Sequence, residues 1–283
     1  MIIWIASYPK SGNTWIRSLL STYLYTEDGN FNFNLLKKIL KFPSKVYLKY
    51  FTEDFSDIKK VSEYWIAAQE RINLFNEKKS ILLKTHSALC TLENNSFTNK
   101  QNTQAVIYIV RDPRNVITSI SNHFSLSIEE SYDFMIDNTK ILTSDRWGGK
   151  DFGISAVLGS WSQHYRSWQN IKFAPILNIK YENLIDDTKN SLITIINFLQ
   201  KFTNVKIDEK KILETIKSCN FENLRKMEIK QGFDEAAYSE ELEKKVNFFH
   251  LGKENNWEKL LSSEVEKKIR KTFNNEMKEL NYI

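Results

Sequence analysis

The chain has 283 residues, of which 41% are hydrophobic, and contains only 8 glycines and 4 prolines. This composition supports a large hydrophobic core and argues against low-complexity sequence and long disordered linkers. The formal net charge is +5, with basic and acidic side chains intermixed. That pattern fits an anionic ligand and argues against a nucleic-acid-binding surface. The two cysteines, Cys90 and Cys219, form neither a disulfide framework nor a metal-binding motif.

The chain opens with a predicted strand, a tight loop and a helix. Residues 1–6 are apolar and mostly β-branched, which is typical of a strand buried on both faces. A loop over residues 7–12 follows, and we expect Asn13 or Thr14 to cap the next helix. That helix carries its larger side chains at helical spacing: Trp15, Leu19, Leu20 and Tyr23. This arrangement favours phosphate binding, because backbone N–H groups and the positive end of the helix dipole face the anion.

The loop departs from the nucleoside triphosphate signature, which has glycine, four residues, and then Gly-Lys-Ser/Thr. Gly12 and Thr14 match the later positions, but Ser7 replaces the first glycine and Asn13 replaces the lysine. The cation is displaced to Lys10. The loop therefore favours a phosphate-bearing donor other than a triphosphate with Mg²⁺. This combination of residues argues against an ordinary β–α turn.

Further strands and helices alternate along the chain. Strands are predicted over 80–84, 105–110 and 175–180, and helices over 35–40, 58–75, 113–124, 129–142, 155–170, 181–199, 208–217, 221–226 and 262–280. Residues 26–34, 94–104 and 228–256 and the segment around Trp147 are expected to be irregular. Side chains expected to face inward from the second of these helices are Tyr64, Trp65, Ala68 and Ile72. The alternation predicts an α/β fold, with a central parallel sheet flanked by helices, and a single domain over residues 1–283.

Polar side chains follow four of the predicted strands. Lys10, His86, Arg111 and Tyr181 each lie just past a strand end. The carboxyl ends of parallel strands meet at one edge of a sheet, where ligands bind. We therefore expect these residues to lie together.

The sequence YPKSGNTW at residues 8–15 resembles the 5′-phosphosulfate loop of sulfotransferases that use 3′-phosphoadenosine 5′-phosphosulfate (PAPS). The resemblance implies a three-layer, P-loop-like fold and release of adenosine 3′,5′-bisphosphate (PAP), with no metal. It implies that the backbone of Ser11, Gly12, Asn13 and Thr14 holds the 5′-phosphate. Lys10 is implied as a catalytic cation that also binds the donor.

Lys84-Thr85-His86 resembles the family element that supplies the general base, which assigns that role to His86 and makes Lys84 a second catalytic cation. Without that resemblance, a lone histidine is more often structural. Positioned acid–base catalysis is typically worth about 10²–10⁴-fold. The other histidines, which lack such a setting, are treated as structural or surface residues: His123, His164 and His250.

Residues 110–119 resemble the family's 3′-phosphate segment, in which an arginine and a serine eight positions later bind that phosphate. Arg111 and Ser119 match. Arg111 on its own would be read as a salt-bridged strand end, but its planar fork suits phosphate. The family resemblance also makes Trp15 and Phe221 candidates to stack on the adenine, with core packing as their rival role, and it implies that Tyr181 lies near the adenine.

The resemblance weakens near the C-terminus. The family often has Arg-Lys-Gly before Gly-x-Trp, and its two cations touch the 3′-phosphate. Here Gly252 and Trp257 are retained, but His250 and Leu251 replace the cations. Lys253 and the lysines near Lys244 are candidate substitutes, so Arg111 and Ser119 are expected to carry more of the binding.

Together the motifs predict a soluble, cytoplasmic PAPS-dependent sulfotransferase acting on a hydroxyl or amine of a small, partly apolar molecule. The alternatives are a P-loop nucleotide-dependent kinase and a non-catalytic PAP-binding module. No nucleic-acid partner, signal peptide or membrane anchor is expected, because no apolar stretch reaches membrane-span length and Met1 leads into a core strand. A homodimer is left open. Segments 27–75, 129–155 and 228–249 are expected to shape the acceptor pocket, with these aromatic residues: Tyr64, Trp65, Tyr132, Phe134, Trp147 and Phe233.

Overall fold

A four-stranded parallel sheet lies at the centre of the computed structural model, which describes residues 1–77, 79–143, 154–239 and 243–283. Its strands are β1 (Ile2–Ser7), β2 (Ile81–Thr85), β3 (Thr103–Val110) and β4 (Ile176–Lys180). They lie in the order β2-β1-β3-β4, and every neighbouring pair is parallel. The predicted strands are thus found in place, and the prediction of a central parallel sheet flanked by helices is confirmed.

Alternate side chains of β1 enter two different cores, one on each face of the sheet. Ile3 packs with Leu19 of the first helix on one face. Trp4 packs with Trp65 on the other face. All four side chains are at most 1% exposed. Because both faces of the strand are covered, its apolar run needs no polar alternation. Helices on both faces complete the three layers.

The helices cover both faces of the sheet. They span Asn13–Tyr25, Lys45–Leu48, Ile58–Ser62, Trp65–Phe75, Pro113–Phe124, Ile128–Ile136, Trp161–Gln169, Tyr181–Asp186, Thr188–Gln200, Glu209–Ser218, Phe221–Gln231, Trp257–Leu260, Ser263–Thr272 and Asn274–Glu279, with 3₁₀ turns at Phe33–Lys38 and Gly252–Glu254. Short antiparallel pairs join Thr91–Leu92 to Asn95–Ser96, Ile141–Leu142 to Ala156–Val157, and Tyr238–Ser239 to Lys244–Lys245. Among the ranges that the structure describes, no helix has both the length and the apolar character needed to cross a membrane.

Two predicted helices, 129–142 and 155–170, are shorter in the structure. The first ends at Ile136, and Ile141–Leu142 pairs with Ala156–Val157 as a strand. The second begins after Ser160, whose hydroxyl accepts a hydrogen bond from the Gln163 amide. Gly159, with φ of 63°, adopts a left-handed conformation that a helix cannot contain.

Other boundaries also differ from the predictions. Asp187 interrupts the helix expected over 181–199, because its side chain caps a new helix by accepting from the Asn190 amide. The helix expected over 262–280 breaks at Phe273, and that over 58–75 breaks after Ser62. The Phe221–Gln231 helix extends past 226. Where a helix was expected over 35–40, the structure has a 3₁₀ turn that ends at Lys38. The segment around Trp147 lies outside the described residues.

Some segments predicted to be irregular contain short strands. Residues 94–104 include the Asn95–Ser96 strand and the start of β3, and residues 228–256 include the Tyr238–Ser239 and Lys244–Lys245 pair. Trp65, Ala68 and Ile72 are buried as predicted, whereas Tyr64 is half-buried.

Candidate active site

The loop between β1 and the first helix has an unusual backbone. Lys10 and Gly12 both have positive φ values, 63° and 100°, so the chain turns sharply before the helix begins. Asn13 and Thr14 lie inside the helix, and the expectation that one of them caps it was wrong. The N-cap position belongs to Gly12, and none of the described side chains caps this end. The first N–H groups of the helix therefore remain available to an anion.

Asn13 connects the loop to the strand instead. Its Nδ2 donates to the Ile5 carbonyl at 3.0 Å and to Ser7 Oγ at 3.2 Å. These bonds hold the helix N-terminus against the end of β1. The residue that replaces the usual lysine is thus used to position the loop.

A side chain that follows β4 lies so close to the loop that only glycine fits at position 12. A Cβ atom there would lie 2.4 Å from Cδ2 of Tyr181, the residue that follows β4. The Arg111 guanidinium lies 4.2 Å from the centre of the same tyrosine ring. It also donates to the Lys10 carbonyl and to Ser119 Oγ, each at 3.0 Å. The loops after three strands are therefore in direct contact.

A cavity of about 570 Å³ opens at this edge of the sheet. The predicted site residues that line it are Lys10, Gly12, Asn13, Thr14, Trp15, Lys84, His86, Arg111, Ser119, Tyr181, Phe221 and Gly252. Ser11 does not line it. The Ser11 hydroxyl is buried, and like Arg111 Nε it has no hydrogen-bond partner among the described residues. Such unsatisfied buried groups and the uncapped helix fit a ligand that carries phosphate groups.

His86 is held in one tautomer by the end of β1. Its Nδ1 lies 2.8 Å from the Ser7 carbonyl, and a carbonyl can only accept, so Nδ1 carries the proton. Nε2 is then the basic nitrogen of the ring. Burial, and next the charge of Lys84, hold the pKa of His86 well below 6.5. The imidazole is therefore neutral at neutral pH and able to accept a proton.

A second histidine, His164, is hydrogen-bonded to the backbone of His86. It is fully buried, accepts a 2.9 Å hydrogen bond from the Tyr108 hydroxyl, and donates from Nε2 to the His86 carbonyl at 3.1 Å. Burial lowers the pKa of His164 to about 4, so it stays neutral. Its contacts are those of a structural residue.

Two lysines line the same cavity as His86, and each has a lowered pKa. Burial, followed by the charges of Arg111 and Lys84, lowers the pKa of Lys10 to about 7. The Lys10 Nζ lies 3.7 Å from the centre of the Phe248 ring. Burial also lowers the pKa of Lys84 to about 8, against the opposing effect of Glu235. Crowding of cations in one cavity destabilises their charged forms, and a bound anion would relieve it.

Aromatic side chains also line the cavity. The Trp15 and Tyr181 rings meet at 5.9 Å, and the Trp15 indole N–H donates to the Cys219 carbonyl at 2.9 Å. Gly252, with φ of 56°, lies so close to Phe221 that a Cβ would be 2.7 Å from its ring. The glycine therefore serves to admit the Phe221 ring.

The C-terminal segment contacts the predicted 3′-phosphate helix through a residue that sequence reasoning missed. Asn255 Nδ2 donates to Ser119 Oγ at 2.8 Å, and its Oδ1 accepts from Thr118 Oγ1 at 2.6 Å. His250 and Lys253 also line the cavity. The side chain of Lys244 is outside the described part of the structure. Asn255 occupies the position of a family glycine, and only that departure from the pattern could have drawn attention to it.

Two further residues that line the cavity, Arg17 and Glu235, were not predicted from the sequence either. Arg17 lies one helical turn after Thr14 and lines the cavity, so its spacing was a signal. Glu235 lies in a segment without a recognisable motif, and its carboxylate contacts Arg17, Lys84 and Thr14. Arg17 and Lys84 outweigh the effect of burial and hold the pKa of Glu235 well below 4.5.

The apolar wall differs from the predicted one. Phe233 lines the cavity as expected. Four other aromatic residues that were expected there pack into or against the core instead: Tyr64, Trp65, Tyr132 and Phe134. Trp147 lies outside the described residues. The wall instead includes Leu40, Leu142 and Ile154. Helical periodicity could not show which buried rings face the cavity and which face the core.

The match to known proteins covers nearly the whole chain. A family model described as the sulfotransferase domain matches residues 2–281. The chain belongs to the sulfotransferase family. The predictions of that family and of a sulfotransferase enzyme are confirmed.

In the part of the chain that the structure describes, no group of three or more His, Cys, Asp or Glu side chains is arranged to hold a metal ion.

Individual relatives of this sulfotransferase are distant. The chain is 24% identical to flavonol 3-sulfotransferase of Flaveria bidentis, over 97% of this chain and 81% of that protein. It is 22% identical to the amine sulfotransferase of Oryctolagus cuniculus, over 98% and 81%. A solved structure of retinol dehydratase in complex with androsterone and the inactive cofactor PAP matches with a TM-score of 0.61 and 17% identity, over 98% and 80%. The similar structure supports the fold.

Proposed function

We propose that this sulfotransferase moves a sulfuryl group from PAPS to a hydroxyl or amine of a small, partly apolar acceptor and releases PAP. One observation carries the proposal: residues from the three segments 8–15, 84–86 and 111–119 line one cavity although the segments are far apart in sequence. The flavonol and amine specificities in the names of two relatives support a small acceptor. The PAP bound to retinol dehydratase supports the nucleotide.

In this proposal the two phosphates of the donor bind at two sites. The N–H groups at the start of the first helix and the Lys10 ammonium hold the 5′-phosphate, since an uncapped helix and a cation both favour an anion. Arg111 and Ser119 hold the 3′-phosphate, and Asn255 orients the Ser119 hydroxyl. The adenine lies near the aromatic side chains Trp15, Tyr181 and Phe221, which line the cavity.

His86 acts as the general base. PAPS, when bound, supplies a sulfur atom bonded to a good leaving group. The His86 Nε2 removes the proton from the acceptor as the acceptor oxygen or nitrogen bonds to sulfur. The bond between sulfur and the 5′-phosphate oxygen breaks, and its electron pair stays with PAP. Lys10 and Lys84 stabilise the charge that develops on that oxygen, which is an electrostatic contribution of the kind that dominates group transfer.

The acceptor lies beside His86, because the base must reach its proton. Leu40, Leu142 and Ile154 line the same cavity and favour a partly apolar molecule. The finer identity of the acceptor is left to a screen of phenols, alcohols and amines. A cytoplasmic location stays a prediction.

Calorimetric titration tests the donor. The purified protein is titrated with PAP in the presence of a chelator and, in parallel, with ATP and Mg²⁺. We expect tight binding of PAP alone, followed by turnover of PAPS with members of the acceptor panel. Preference for ATP with Mg²⁺ would contradict the proposal and favour a kinase. PAP binding without turnover of any acceptor would favour a non-catalytic binding module.

A further inference from the structure

The acidic side chain of Glu235 contacts two of the cationic side chains that line the cavity, Lys84 and Arg17. Glu235 Oε2 accepts hydrogen bonds from Lys84 Nζ at 2.8 Å and from Thr14 Oγ1 at 2.9 Å. Its other oxygen, Oε1, accepts from the Arg17 guanidinium. Arg17 and Lys84 are both buried, whereas the Glu235 side chain is 27% exposed. The partly exposed Glu235 carboxylate therefore accepts hydrogen bonds from three buried side chains: Lys84, Thr14 and Arg17.

We propose that Glu235 occupies the anion subsite of the 5′-phosphosulfate group in the donor-free protein, that the donor displaces it, and that Arg17 is a further donor-binding residue. This inference rests on the proposed function, because Lys84 and Thr14 are two of the residues assigned to the donor there. A carboxylate and a sulfonate or phosphate present the same feature, oxygen atoms that share negative charge. The ligands of the carboxylate thus mark where a donor oxyanion binds.

The Thr14 hydroxyl is one group for which the two occupants compete. A threonine hydroxyl carries one proton and can donate only one hydrogen bond at a time. That bond is made to Glu235 at 2.9 Å. The hydroxyl can donate to the donor only after the carboxylate has left. Two anions at hydrogen-bond distance from the same Lys84 ammonium would also repel each other strongly in a partly buried site.

Arg17 must keep an anionic partner when Glu235 leaves. Its side chain is buried, one terminal nitrogen bonds Glu235, and the other donates to the Leu36 carbonyl at 3.2 Å. Its Nε has no hydrogen-bond partner among the described residues. A guanidinium does not lose its proton, so an uncompensated buried charge would result. The donor oxyanion supplies the replacement charge, which makes Arg17 a further cation of the subsite, in addition to Lys10 and Lys84.

The inference is tested by neutralising the carboxylate. The Glu235→Gln variant keeps the shape and a carbonyl acceptor but removes the charge. We expect its affinity for PAP to rise about tenfold or more, within the range usual for coupled binding. Its affinity for adenosine 3′-phosphate, which lacks the 5′-phosphate, should stay within about twofold of the parent. Asp234→Asn is the matched control, because it removes one negative charge from the neighbouring, exposed residue.

Arg17 is tested in the same background. Adding Arg17→Met to Glu235→Gln should remove most of the gain for PAP and leave adenosine 3′-phosphate binding unchanged. If Glu235→Gln leaves Arg17 and Lys84 so poorly compensated that the fold is marginal, the rise in Tm caused by PAP, relative to that caused by adenosine 3′-phosphate, reports the same difference.

Each outcome separates the two proposals. If the parent protein and Glu235→Gln bind PAP equally, the displacement of Glu235 is overturned and the proposed function stands. An equal gain in Asp234→Asn would mean a general charge effect and would also overturn it. If neither protein binds PAP, the proposed donor is wrong and this inference falls with it.

Discussion

The pKa of Lys10 should make donor binding depend on pH in the alkaline range. Burial and the neighbouring cations lower that pKa to about 7 in the donor-free protein. A bound bisphosphate places an anion next to the ammonium and raises its pKa. Binding is then coupled to proton uptake. Affinity is highest below pH 7 and falls as the pH rises from 7 toward the pKa of the complex.

The size of the effect follows from the pKa of free Lys10. With a pKa of about 7, about one quarter of Lys10 is protonated at pH 7.5 and about one hundredth at pH 9.0. If Lys10 stays protonated in the complex, the association constant for PAP falls roughly 25-fold across this interval. The interval lies above the second pKa of a phosphate monoester, about 6, so the charge of the ligand is nearly constant.

Calorimetry at several pH values across this interval measures the effect, and repetition in buffers of different ionisation enthalpy counts the protons taken up. Lys10→Arg is the matched variant, because a guanidinium keeps its charge throughout. It should bind PAP with a shallower pH dependence and less proton uptake. Lys84, with a pKa of about 8, titrates in both proteins, so the difference between them belongs to Lys10. The same slope and the same proton uptake in both proteins would refute the reasoning.

Three substitutions test other parts of the site. His86→Ala should lower turnover by about 10²–10⁴-fold and leave PAP affinity within about twofold, because only the base is lost. Arg111→Ala should weaken PAP about 10- to 100-fold but adenosine 5′-phosphate only slightly, since hydrogen bonds to charged groups contribute about 1.5–3 kcal/mol. Gly12→Ala should lower the free energy of unfolding by about 1–3 kcal/mol through its φ of 100° and should contact the Tyr181 ring.

The results that would contradict these expectations differ. Equal losses of turnover and affinity in His86→Ala would mean that the histidine is structural. Equal weakening of both nucleotides in Arg111→Ala would remove Arg111 from the 3′-phosphate site. Tyr181→Ala in the Gly12→Ala background should relieve the contact but not the backbone strain; denaturant unfolding that shows no recovery would argue against the contact.

Local pattern was enough to predict the sheet and the main motifs. Apolar runs predicted all four strands. Nearly all residues of β1, β2 and β3 are buried, as expected for strands covered on both faces, whereas β4, at the edge of the sheet, is mostly half-buried. The position of Lys10, His86, Arg111 and Tyr181 just after strand ends predicted that they would lie together. They do, since parallel strands place their carboxyl ends on one edge. Helix boundaries were less well predicted, because caps such as Ser160 and Asp187 act within one turn and interrupt an otherwise helical pattern.

Short-range pattern and spacing predicted the family, the positions of the four strands along the chain and the motifs that meet at the edge of the sheet. The order of the strands in the sheet and the side chains around those motifs came from the folded structure. Glu235 lies more than 150 residues from Lys84, and Asn255 more than 100 from Ser119, yet both pairs are hydrogen-bonded. The sequence also could not show which aromatic side chains face the cavity, because those that face the core recur along a helix at the same spacing. Contacts across such separations depend on how whole segments pack, which no local pattern encodes.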